Sequence, residues 1–169
     1  MDKKIAIVDE NNQVVGSSDR SEAHKQGLWH RIVVVLVFNN RSQLYIQKRS
    51  PNADTSPNMW DHSAAGHVDE GEEPEQAAKR ELNEELGIKA NALEFISSFK
   101  TQREEKDKKL NRFWSIYRFS FDGSMTLQES EVSEGKFVDI DWLKNEIDTN
   151  PKDYTDGLKS SLEAYLRNQ

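Results

Sequence analysis

Glu81, Glu84 and Glu85 stand at i, i+3 and i+4 in the stretch RELNEELGI. On a helix that spacing gathers three carboxylates on one face. Like charges at i,i+4 repel, and Glu84 and Glu85 fall in a last turn whose dipole disfavours anions. A helix selected for stability alone would carry Lys or Arg there. A divalent cation reverses both penalties, because Mg2+ and Mn2+ prefer hard oxygen ligands. An acidic triplet by itself still reads as a solvated face.

The wider spacing changes that reading. Gly66, Glu72, Arg80, Glu81, Leu82, Glu84, Glu85, Gly87 and Ile88 fill every specified position of the Nudix box, over residues 66–88. The stretch resembles the Nudix hydrolases. The resemblance implies an α/β fold, an α/β/α sandwich with a mixed, curved central sheet. It also implies a loop–helix–loop that binds Mg2+ or Mn2+ and presents a diphosphate to water. Glu81, Glu84 and Glu85 would then supply ligands or a base, Gly66 a backbone carbonyl to the metal, and Arg80 and Glu72 would orient the carboxylates. A further glutamate is expected in the later loop 129–134, with Glu131 the first candidate and Glu134 the second. Cations at such a site neutralise a diphosphate before a nucleophile approaches.

The elements that must hold these groups are legible. Pro74 suits a first helical turn and Gly87 a left-handed stop, predicting a helix over 74–86. Ala78, Leu82 and Leu86 make its buried stripe. RIVVVLVF (31–38) is an apolar, β-branched run, expected as a strand buried on both faces. Gln43 to Lys48 alternates like its hairpin partner, after the Asn39-Asn40 turn. Lys48 and Arg49 end that strand with two positive charges, which serve either edge solvation or a phosphate contact. Residues 93–100 and the aromatic run 113–121 read as strands. Between them, 100–112 reads as a charged hairpin tip, the chain's densest basic cluster. It is either solvated or leaning over a polyanionic substrate. A strand is expected at 136–140, a helix from 141, and a C-terminal helix at 155–167 with Leu158, Leu162, Tyr165 and Leu166 inward.

A second, looser resemblance covers residues 1–140. HKQGLWHR, QKRS and WDHSAAGH are similar to the isopentenyl-diphosphate isomerases of the Nudix fold and their hydrolase-like relatives. His24, His30 and His67 match the three histidines that hold the isomerases' divalent metal, the first pair one residue closer here. The isomerases' acid/base cysteine, placed before the Gly-His pair, is Ala65 in this chain, which has no cysteine. The acidic pair of their later strand is matched by Leu110-Asn111-Arg112. Alkene isomerisation needs a proton donor and an acceptor on opposite sides. The expected activity is therefore Mg2+-dependent hydrolysis of a small organic diphosphate. The alternatives are isopentenyl-diphosphate isomerisation and a non-catalytic diphosphate-binding module, which has no need of a complete box.

Length and composition bound the rest. The 169 residues suit one Nudix domain, with an N-terminal β-hairpin extension over 1–27. A net charge of −7 argues against nucleic acid as a partner, since phosphate backbones need a basic face. No run approaches a membrane span, and the N-terminus lacks an apolar leader, so a cytoplasmic protein is expected. A small-molecule diphosphate is the expected partner, and a homodimer is one open arrangement.

Overall fold

The computed structural model describes residues 3–169; Met1 and Asp2, at the start of the expected extension, lie outside the described residues. The sheet is built on β3 (His30–Phe38), whose valines are buried on both faces. Its even-numbered residues, Ile32, Val34 and Leu36, enter one core. Val33, Val35 and Val37 enter another on the opposite face. The two-sided apolar run therefore places β3 between two layers.

β1 (Ile5–Val8) and β2 (Val14–Ser18) form an antiparallel hairpin whose first strand pairs with β3. β7 (Glu94–Glu105) and β8 (Lys108–Ser120) form a long antiparallel ribbon, and β8 runs parallel to β3 from His30↔Arg112 to Phe38↔Ser120. The parallel pair within antiparallel neighbours makes the sheet mixed. The charged stretch 100–112 is thus mostly strand, with only Lys106 and Asp107 at the turn. Strand pairing satisfies its backbone, which a solvated loop would leave to water.

β4 (Leu44–Arg49) corrects the hairpin expectation. It meets β3 only at Phe38↔Leu44 and takes β9 (Val132–Val138) as its main partner. The two strands then part. β5 (Trp60–Asp61) pairs with β4 and β6 (Ala64–His67) with β3. Ser63 closes the apex, accepting from Val37 N (2.8 Å) and donating to Tyr45 O. The parting opens a cleft that a continuous ladder would have closed.

α2 (Pro74–Leu86) covers one face of the sheet with Ala78, Leu82 and Leu86, all fully buried. Burying each leucine contributes roughly 1.5–3 kcal/mol. Glu73 N donates to Gln76 Oε1 at the helix start, and Gly87 stops it at φ +68°. On the other face lie α3 (Ile140–Thr149) and α4 (Asp156–Arg167), giving an α/β/α sandwich. Leu166 corrects the inward stripe of α4: it is 37% exposed, while Leu158, Leu162 and Tyr165 are buried. The stripe at spacing four and three needs no fourth residue to cover the sheet. α1 (Arg20–Gln26) packs beside β8 and ends at Gly27, φ +68°.

Candidate active site

The cleft continues into a cavity of about 480 Å³. Glu81, Glu84, Glu85, Gly66, Glu131 and Arg49 all line it. Glu85 is 4% exposed and accepts a 2.7 Å hydrogen bond from Gln47 Nε2. Burial, followed by repulsion from Glu81, holds its carboxyl well above the usual range. Burial also raises Glu81 to about 7, despite the opposing pull of Arg80. Gly66 sits where any side chain would collide with the Glu81 carboxylate.

Arg80 ties the acidic face to the preceding loop. Its Nε and one amino nitrogen donate to the two oxygens of Glu72 at 3.0 and 2.9 Å. The same amino nitrogen donates to His67 O at 2.9 Å, and the other reaches Glu81 at 2.6 Å and Glu84 at 3.3 Å. Glu72 also accepts from Asp69 N. This planar fork fixes loop and helix together, which a lysine's single ammonium would not do.

The family model for the NUDIX domain matches residues 28–158. The chain belongs to the Nudix family. It is 32% identical to an isopentenyl-diphosphate Delta-isomerase of Serratia proteamaculans, covering 92% of this chain and 87% of that protein. It is 33% identical to an uncharacterized Nudix hydrolase of Pseudomonas aeruginosa, covering 96% and 92%. The crystal structure of DR0079 from Deinococcus radiodurans superposes with a TM-score of 0.77 at 26% identity, covering 95% of this chain and 98% of that one. Nudix relatives of both names thus extend along most of the chain.

The remaining residues expected from the sequence divide within this Nudix cleft. Arg49 lines the cavity and donates to Asp61 at 3.0 Å and to Thr55 O. Lys48, the residue before it on the strand, points to the other face, where it pairs with Glu134 at 3.3 Å and lies over Trp60. Glu131 reaches the cavity and Glu134 does not. The backbone of Glu131 accepts from Ser50 N, anchoring its loop beside β4.

Four side chains were not among the candidates read from the sequence. Gln47 shares an inward face with Tyr45 and Arg49; its signal was a polar residue at an inward position of an alternating strand. Asp61 is buried, and the Thr155 hydroxyl donates to it at 2.8 Å. Burial would raise its carboxyl, but His62 and Arg49 outweigh that and hold it well below the carboxylate range. Arg20 and Arg112 also line the cavity, from α1 and β8. Arg112 closes the basic stretch 100–112, whose charge was its signal; nothing local marked Arg20.

The three histidines do come together. One ring nitrogen from each lies within 4.8 Å of those of the other two. His67 Nε2 is 3.3 Å from His24 Nε2, and His30 Nδ1 is 2.8 Å from Leu28 O. Burial, then the charges of Arg112 and Arg20, lowers His24 to about 4. Burial takes His30 to about 3. At neutral pH the cluster carries no charge. No helix among the described residues is long and apolar enough to cross a membrane.

Proposed function

We propose that this protein hydrolyses the diphosphate linkage of a small organic diphosphate, with Mg2+ or Mn2+ bound at Glu81, Glu84, Glu85 and the Gly66 carbonyl. The observation that carries the reading is the pair of carboxylates in the cavity, Glu85 buried and Glu81 half-buried, both with raised affinity for protons. Among the described residues, Glu85 has only the neutral Gln47 amide as its partner, and Glu81 shares the single Arg80 with Glu72 and Glu84, so negative charge is in excess and their oxygens suit a hard cation. When bound, the cation supplies charge neutralisation for the diphosphate and acidity for a water.

The protein's own residues would do the rest. Gln47 orients Glu85, Arg80 orients Glu81 and Glu84, and Arg49 offers a cation to the phosphoryl oxygens. One of the box carboxylates, or Glu131, would take the proton of the attacking water. The cleft admits a small molecule, and the acidic chain offers no broad basic face for nucleic acid.

The isomerase names among the relatives support a second reading. The groups at the cavity wall weigh against it. Ala65 on β6, at the position matched to the isomerases' cysteine, lines the cavity, as do Leu110 and Arg112 of the stretch on β8 matched to their acidic pair. None of the three can donate and recover a proton for alkene isomerisation at neutral pH.

The test is a metal-dependent screen over a panel of diphosphates, with Glu85→Gln beside the wild type. Release of monophosphate or phosphate, lost in Glu85→Gln, is expected. Isopentenyl diphosphate followed by NMR should stay unconverted. Its conversion to dimethylallyl diphosphate at enzymatic rates, undiminished in Glu85→Gln, would overturn the reading.

A further inference from the structure

Four arginines line the cavity: Arg20, Arg49, Arg103 and Arg112. Two are neutralised by carboxylates. Arg49 pairs with Asp61, and Arg103 with Glu105 and Asp156. Among the described residues, Arg20 and Arg112 have no ion-pair partner, and Arg112 Nε is buried without a hydrogen-bond acceptor. Arg112 is held in place by strand pairing opposite His30 and by the Trp114 ring, 5.7 Å from its guanidinium carbon. Burial, then the charges of Arg103 and Arg20, lowers its proton affinity to about 10. A buried N–H of a guanidinium lacking an acceptor costs stability unless a ligand supplies one.

The neighbouring histidine cluster has donor atoms spaced for a cation. Its electrostatic setting is the opposite. Arg112, Arg20 and Lys108 all act on His24 as positive charges, and Asp54, the carboxylate that opposes them there, is already paired with Lys108 at 2.8 Å. A dication placed there would add to unbalanced positive charge. An anion would relieve it. The acidic wall of Glu81, Glu84, Glu85 and Glu131 lines the same cavity, and Glu81 and Glu131 act on Arg20 through space without forming an ion pair with it.

The geometry points to an oxyanion subsite formed by Arg112 and Arg20 beside His24, His30 and His67, which takes a second anionic group of the substrate. This rests on the reading that the cavity holds that substrate. The substrate class is then a diphosphate bearing a further carboxylate or phosphate. Guanidinium groups match either one through paired N–H donors. The diphosphate goes to the acidic wall with its cation, and the second group to the arginines. Arg112 thereby sets specificity rather than chemistry.

The experiment measures binding of inorganic phosphate and of malonate by calorimetry, and of phosphate also by 31P NMR, with chelator present so that no cation bridges the anion to the acidic wall. Wild type should bind at least one of the two, and the tighter one names the group. Arg112→Gln should weaken it at least tenfold, Arg20→Gln, at the exposed rim, should weaken it less, and Arg112→Lys should retain part. Glu85→Gln should leave it unchanged, which separates this result from any failure of the hydrolase reading. Circular dichroism checks each fold. Equal affinity in wild type, Arg112→Gln and Arg20→Gln would overturn the subsite, as would no binding of either anion. So would Zn2+ binding to Glu81→Gln/Glu85→Gln that is lost in His30→Ala.

Discussion

A β-carbon at Gly66 would occupy the space of the Glu81 carboxylate. The β6 strand and the α2 helix therefore meet at a point where only hydrogen fits, and Glu81 folds against bare backbone. Gly66→Ala should push the carboxylate out of line while leaving the apolar face of α2 buried. We expect turnover to fall about a hundredfold, the usual penalty for a misplacement near 1 Å. The thermal midpoint should lose its response to Mg2+. An unaltered Mg2+ response in a folded Gly66→Ala protein would show that Glu81 takes no part in holding the ion.

The two raised carboxyls give the metal-free protein a defined pH dependence. Glu81 moves from an ordinary 4.5 to about 7 on folding. Its contribution to stability is complete below 4.5 and is lost as pH rises through about 7, a span on the order of 3 kcal/mol. Glu85 acts in the same direction. Stability of the chelated protein should therefore fall across this window. Mg2+ or Mn2+ should restore it by mass action, and Glu85→Gln should flatten it. Denaturant midpoints from pH 4.5 to 8, with and without metal, decide the matter.

The histidines carry the opposite sign. His24 and His30 have folded values of about 4 and about 3, against an ordinary 6.5. Their contribution is present above 6.5 and is lost as pH falls toward those values. In acid the cluster must take up protons beside Arg112 and Arg20, so it should help to trigger acid unfolding. His30→Gln should reduce the acid slope of stability below pH 6.5, whatever it does to stability at neutrality. An identical slope in the variant would remove the cluster from the acid transition.

Leu82 is fully buried between α2 and the valines of β3. Leu82→Ala should cost roughly 2–5 kcal/mol through the cavity it leaves. Loss of activity should follow the unfolded fraction, with metal affinity of the folded protein intact. A denaturant midpoint equal to wild type would contradict this packing.

What the sequence determined by itself was local. Pro74, the spacing of Ala78, Leu82 and Leu86, and Gly87 specify α2 through the helical repeat and its ends. That same repeat places Glu81, Glu84 and Glu85 side by side. The unbroken apolar run of β3 likewise announces a strand covered on both faces. Tertiary structure alone decided the rest. Gln47 meets Glu85 across 38 residues of chain. β4 leaves β3 for β9, because Ser63 and the short strands β5 and β6 fill the gap between them. Arg20 and Arg112 converge because β3 and β8 run parallel in a register that sets Arg112 beside His30, while α1 packs against β8. Spacing along a chain fixes which side chains share a face of one element. Which faces then confront each other, and which charges are buried without partners, depends on strand register and on packing between elements distant in sequence.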